Sequence, residues 1–211
     1  MNIKRLAFWI IFVVILGLIV WGLSVAMNKP AASSSLGAPA PVTAEDHVTG
    51  PANASVTLIE YGDFQCPACG LYAPIVERLI ASSTSLRVVF RHFPLPQHAN
   101  AMITSEAAEA AAMQGKFWDM YRLIYANQAE WENLPDAHAV LDGYAQQIGL
   151  DMTKFKADID SSEAKAAVIA DLNEGESLGI DQTPTFFVNG KAILNPPGYE
   201  AFKAIIDSAA R

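Results

Sequence analysis

The sequence predicts an α/β domain in which a helical insertion separates two parts of one sheet, behind an apolar N-terminal span. Three observations carry that reading. Two strand-like runs, Ser55–Asp63 and Leu86–Phe93, flank one helical pattern. A stretch of roughly 80 residues with only helical signals follows, far more than the dozen or so that a crossover between strands requires. The chain then closes with a strand–Asn-Gly–strand signature and one last helix.

Taken in order, the first element is Leu6–Met27, "LAFWIIFVVILGLIVWGLSVAM", which carries no charge. As a helix it would be about 33 Å long, against a hydrocarbon core of ~30 Å. Lys4 and Arg5 precede it, which keeps the N-terminus in the cytoplasm and sends the rest across the membrane. Ser24-Val25-Ala26 resembles a cleavage site, but the apolar run exceeds the ~7–15 residues of a signal-peptide core. Residues 1–28 are therefore expected to form a transmembrane anchor, or an uncleaved signal. "KPAASSSLGAPAPVT" (Lys29–Thr43) has no periodicity, so 29–47 reads as a flexible linker and 48–211 as the folded domain.

Within the domain, "SVTLIEYGD" is rich in β-branched and apolar residues and ends at Gly62-Asp63. A helix follows, with Pro67 in its first turn, Leu71, Ile75, Val76 and Leu79 at helical spacing, and Pro74 inside it, where a kink is expected. "LRVVFRHF" is the second strand, closed by Pro94 and Pro96. The insertion, about 97–178, holds an Ala-rich helix stopped by Gly115 and further helices with Asp136, Asp151 and Ser161 or Ser162 as N-caps. Its aromatic stripe, Trp118, Tyr121, Tyr125 and Trp131, reads as core rather than a cofactor box.

Charge excludes some partners. Without Lys4, Arg5 and Lys29, 11 of the 14 basic residues remain in the exported part, against all 22 acidic residues. So acidic a domain is not built for nucleic acid or anionic lipid.

The chemistry lies in "YGDFQCPACG", which holds Cys66 and Cys69, the only two cysteines. A zinc site would need two further ligands, and His47, His92, His98 and His138 show no paired spacing, so no metal and no cofactor are expected. A structural clasp would close a loop of only two intervening residues, where a disulfide stabilises least. A strand-to-helix junction favours redox chemistry instead. Unpaired N–H groups and the helix dipole there stabilise a thiolate at Cys66, and Cys69 one turn on can resolve a mixed disulfide.

Cys66-Pro67-Ala68-Cys69 after a strand, the internal Pro74, and Thr183-Pro184-Thr185 before a strand stand in one order. With "FQCPACG", "FRHFPL" and "GIDQTPTFFVNG", the chain resembles the DsbA-like thiol–disulfide oxidoreductases of the thioredoxin-fold superfamily over about Val48–Arg211. The resemblance implies a thioredoxin-like fold with an inserted helical subdomain. It implies Cys66 as attacking and Cys69 as resolving thiol, and Pro184 as the cis-proline beside them. Thr183, Pro67 and Ala68 would border the substrate, and Glu60 would be the buried acid that moves the proton of Cys69, with Asp63 as its competitor.

Strongly oxidising relatives typically carry Pro-His between the cysteines; Ala68 cannot supply that charge, so a milder oxidant is expected. The favoured function is a monomeric oxidase introducing disulfides into exported proteins on the periplasmic or extracellular side of the cell membrane, reoxidised by a quinone-linked membrane partner. A membrane-tethered reductase or isomerase, or a non-redox binding module, is the alternative.

Overall fold

A computed structural model describes residues 36–211, and the expected span Leu6–Met27 lies outside the described residues. Among the described residues no helix is long and apolar enough to cross a membrane. The central strand is β2 (Val56–Gly62), followed by α1 (Pro67–Ser82) and β3 (Leu86–His92). β2 and β3 pair in parallel, as a crossover through one helix allows, with Leu58 opposite Val88 and Gly62 opposite His92.

Six helices then run between β3 and β4: α2 (Ala101–Ala112), α3 (Phe117–Ala126), α4 (Gln128–Trp131), α5 (His138–Gln147), α6 (Met152–Ile159) and α7 (Ser162–Ser177). The chain returns as β4 (Thr185–Val188), β5 (Lys191–Ile193) and α8 (Tyr199–Ala209). β4 lies antiparallel on the free side of β2, and a short strand β1 (His47–Thr49) lies on the outer side of β3, giving the order β1-β3-β2-β4-β5. Asn189 and Gly190 turn the last hairpin with φ of 48° and 78°, the left-handed pair that a two-residue connection demands.

Strand alternation sorts the core into faces. Leu58, Val88 and Phe186 pack with Val76 and Leu79 of α1 and Phe202 and Ile206 of α8. Ile59, Tyr61, Val89 and Phe187 face the other way, toward Leu172 and Leu178. The insertion builds its own core from Met120, Tyr121, Ile124, Trp131, Leu141 and Phe155, continuous with Phe64 and both cysteines. The aromatic stripe is thus core: Tyr121, Tyr125 and Trp131 are buried and Trp118 is partly so.

Two expectations change. The linker expected over 29–47 is docked on the domain from residue 36: Gly37 N–H donates to Leu178 O at 3.0 Å and Ala40 N–H to Glu174 Oε1 at 2.7 Å. Its last residue, His47, opens a strand of its own, β1 (His47–Thr49), antiparallel to β3. The reason is Arg91. Its buried guanidinium on β3 needs counter-charge, and takes Asp46 at 2.8 Å and Glu174 at 2.9 Å. Asp136 is also not an N-cap. α5 starts one residue later than that role requires, after Ala137, and Asp136 Oδ1 instead accepts from His138 N–H at 2.9 Å. Asp151 and Ser161 do cap α6 and α7.

Arg91→Ala would strand the Asp46 carboxylate, whose side chain is 7% exposed, beside an empty volume. Breaking one side of a buried pair costs about 3–5 kcal/mol. Urea denaturation should report a loss of that order for Arg91→Ala and a smaller one for the double variant Arg91→Met/Asp46→Leu.

Candidate active site

β2 ends at Gly62, and Phe64, buried among Phe90, Tyr121 and Tyr125, anchors the short turn into α1. Cys66 is the N-cap residue of that helix and Pro67 sits in its first turn, where a missing N–H costs nothing. Cys66 is 7% exposed and Cys69 fully buried. Cys66 Sγ lies 3.3 Å from the Thr183 carbonyl oxygen, to which it donates only while protonated, and this brings residues far apart in sequence to one place. The Thr183–Pro184 peptide is cis. Pro184 O accepts from Asn195 Nδ2 at 2.9 Å, tying this loop to the segment after β5.

The two sulfurs differ sharply. Cys66 has its pKa lowered to about 5: the Cys69 thiol hydrogen-bonds to it first, partial burial opposes, and the Thr183 side chain and the N–H groups of Cys69 and Ala68 add support. Cys69 is pushed well above the ordinary thiol range, by burial first, then by its bond to Cys66 and the charges of Glu60 and Cys66. One thiol is therefore ionised at neutral pH and the other holds its proton.

Glu60 lies on β2 in the same buried region, fully shielded. Neither carboxyl oxygen meets a donor in hydrogen-bonding geometry. Burial raises its pKa to about 8; the Tyr121 hydroxyl offsets part of this and the Cys66 charge adds to it. Asp63 is equally buried but fully engaged, accepting from Gln65 N–H at 2.7 Å, Leu95 N–H at 2.9 Å and pairing with His98 at 2.6 Å. Between the two, the unpartnered acid beside the thiols is Glu60; Asp63 holds the loop.

Of the other expected residues, Pro67 is exposed at the rim and Ala68 half-buried against the insertion core. Sequence reasoning missed Gln128, whose amide donates to Phe64 O at 2.7 Å and Cys66 O at 3.0 Å. It also took Tyr121 and Tyr125 only as core, although their buried hydroxyls carry no partner in hydrogen-bonding geometry, like the oxygens of Glu60. Leu71, 73% exposed just after Cys69, and Leu194, 93% exposed beside the Asn195 tie to Pro184, leave apolar surface on the two walls.

Comparison with known proteins agrees with this geometry. A family model described as Thioredoxin matches residues 42–208. Oxidised BdbD from Bacillus subtilis superposes with a TM-score of 0.74 at 22% identity, covering 84% of this chain and 99% of that one. α-DsbA1 of Wolbachia pipientis gives 0.69 at 21% identity, over 81% and 92%. The fold is that of the DsbA-type thiol–disulfide oxidoreductases. Among curated proteins, a Na(+)/H(+) antiporter NhaA 1 of Salinispora arenicola is 40% identical over 165 residues, 78% of this chain and 24% of that protein. A second, from Herminiimonas arsenicoxydans, is 36% identical over 79% of this chain and 26% of its own length. The chain thus spans about a quarter of the curated relatives it matches.

Two pH dependences follow. The reduced protein should show thiolate absorbance with a midpoint near pH 5, moving upward in Cys69→Ala, which removes the main support. Glu60 keeps its proton in the fold up to about pH 8 but loses it near 4.5 when unfolded. The unfolded state then binds fewer protons, so this group makes stability fall between those values, by at most ~1.4 kcal/mol per pH unit. Cys66 works oppositely from about pH 5 to its ordinary value of 9.0, but only when reduced. The oxidised protein should therefore lose stability as pH rises above about 4.5, over a range that ends below 8 because the Cys66 charge is gone, while in the reduced protein Cys66 offsets the loss. Glu60→Gln should flatten the oxidised curve in denaturant titrations.

Proposed function

The chain belongs to the thioredoxin family, and on that premise we propose that it is an extracytoplasmic thiol–disulfide oxidoreductase that passes the Cys66–Cys69 disulfide to exported proteins. The observation that carries the proposal is the division of labour between the sulfurs, one at the rim and ionised, one buried and protonated. In the oxidised protein a substrate thiolate attacks Cys66 Sγ, the Cys66–Cys69 bond breaks, and Cys69 leaves and takes up a proton. Glu60, still protonated near neutral pH, is the donor beside it. A second substrate thiolate then attacks the mixed disulfide and expels Cys66, whose low pKa makes it a good leaving group. Two electrons have moved to the cysteine pair and the substrate holds a disulfide.

Stabilising the Cys66 thiolate stabilises the reduced protein, which favours oxidation of substrates over their reduction. Pro184, Thr183, Pro67 and Ala68 border the approach, and Leu71 and Leu194 give it the apolar character suited to unfolded chains. Leu6–Met27 would hold the domain at the outer face of the cell membrane as a monomer, beside a quinone-linked protein that reoxidises it. Ion transport, the activity in the antiporters' name, is not part of the proposal, because the chain corresponds to only about a quarter of their length.

The test uses the full chain with a reduced, unfolded two-cysteine substrate. Wild type should form the substrate disulfide, Cys66→Ser should fall to the uncatalysed rate, and Cys69→Ser should accumulate mixed disulfides. In cells the pair should be found mainly oxidised; a mainly reduced pair would reassign the protein as a reductase or isomerase. Equilibration with glutathione should give a potential more reducing than that of Pro-His relatives, with Ala68→His shifting it upward.

A further inference from the structure

Away from the cysteines, donor atoms from three elements converge. His47 comes from β1, His92 from the end of β3 and Glu109 from α2. Nε2 of His47 lies 2.6 Å and Nε2 of His92 2.8 Å from the same Glu109 Oε1, and the three ligand-type atoms lie within 4.8 Å of one another. The side chains are 14%, 0% and 8% exposed. Packing sets the rings: His47 stacks on Phe117 with centroids 3.6 Å apart and planes 6° from parallel.

Carboxylates crowd the surroundings. His47 and Glu109 border a cavity of about 250 Å³ that Glu45, Asp46, Asp171 and Glu174 also line. The one arginine there, Arg91, is committed to Asp46 and Glu174. Asp171 is largely buried, accepts His92 N–H at 2.9 Å, and has no lysine or arginine partner among the described residues. A largely buried carboxylate faced by imidazoles, and by no lysine or arginine, is a second feature that a bound cation would satisfy.

We propose that His47, His92 and Glu109 form a binding site for a divalent transition-metal ion of the zinc class, with water completing the shell. Two imidazole nitrogens and a carboxylate oxygen are a donor set that zinc accepts, whereas calcium and magnesium take oxygen. Bonds of ~2.0–2.2 Å at tetrahedral angles put ligand atoms about 3.3 Å apart, so the cluster need open by only a fraction of an ångström. Coordination through Nε2 places the His92 proton on Nδ1, which has no partner. Missing outer support of this kind costs ~10–100-fold in affinity, so the site is weaker than a closed structural zinc centre. The ion would join β1, β3 and α2, pinning the segment by which the chain enters the domain.

The experiment uses the full chain in detergent, stripped with chelator and with Cys66–Cys69 oxidised so that the thiols cannot bind metal. Zinc chloride should raise the melting temperature saturably at one ion per chain, by about 5–10 °C when free ion exceeds its Kd a hundredfold. Cobalt(II) should give visible d–d bands at the same stoichiometry, a readout independent of stability. His47→Phe keeps the stack on Phe117 and should abolish both signals, as should Glu109→Gln. Absence of both signals in wild type, their persistence in His47→Phe, or an equal thermal shift with calcium would overturn the proposal.

Discussion

The N-terminus of α1 does for Cys66 what no charged side chain does. Its thiolate is met by Cys69 in front and by the N–H groups of Ala68 and Cys69, while the Thr183 side chain closes in from the other wall. Each of those partners depends on something larger. The helix end is placed by β2, Thr183 by the pairing of β4 with β2, and the loop between by Asp63 and Gln128. Because Cys66 takes the charge, its neighbour cannot, and the burial that keeps Cys69 protonated also keeps a proton on Glu60. Among Cys66, Cys69 and Glu60 a single negative charge is allowed, and the fold chooses where it sits.

The insertion contributes more than cover. α3 supplies Tyr121 and Tyr125 above Glu60, α4 supplies Gln128, and α2 supplies Glu109 on the far side. α3 borders both sites, since its Phe117 also stacks on His47 of the His-His-Glu cluster. On the opposite face, α7 contributes Glu174 to the Arg91 clamp and packs Gly175 so close to Phe93 that an added Cβ would lie 2.5 Å from its ring. A glycine there is a requirement of contact, since any side chain would push helix and sheet apart.

Much of this was legible in the sequence, for reasons that differ by element. β2, β3 and the closing hairpin announce themselves because burial on both faces or a two-residue turn leaves a local pattern. Cys66, Cys69 and Pro184 are legible as motif residues, and Glu60 by its place on the strand before them. Illegible were contacts that depend on which surfaces meet. Three residues of β1 carry no periodicity, and the Ala-Ser-Pro composition before them suggests a tether until Arg91 is known to be buried. His47, His92 and Glu109 are scattered along the chain, so a search for short ligand spacing passes over them. Gln128 had no signal at all: a glutamine on a short helix acquires its role only when α4 lands on the turn before Cys66.

The order of strands has a consequence in time. Leu58 of β2 pairs with Val88 on one side but with Val188 on the other, 130 residues later. A chain that emerges from its N-terminus can zip β2 to β3 early, yet the wall carrying Thr183 and Pro184 arrives only after the whole insertion has been made. Until then Cys66 and Cys69 stand uncovered and open to any oxidant or stray thiol nearby. A protein whose proposed work is to manage other chains' cysteines thus passes, during its own birth, through a period in which its cysteines are the ones in need of management.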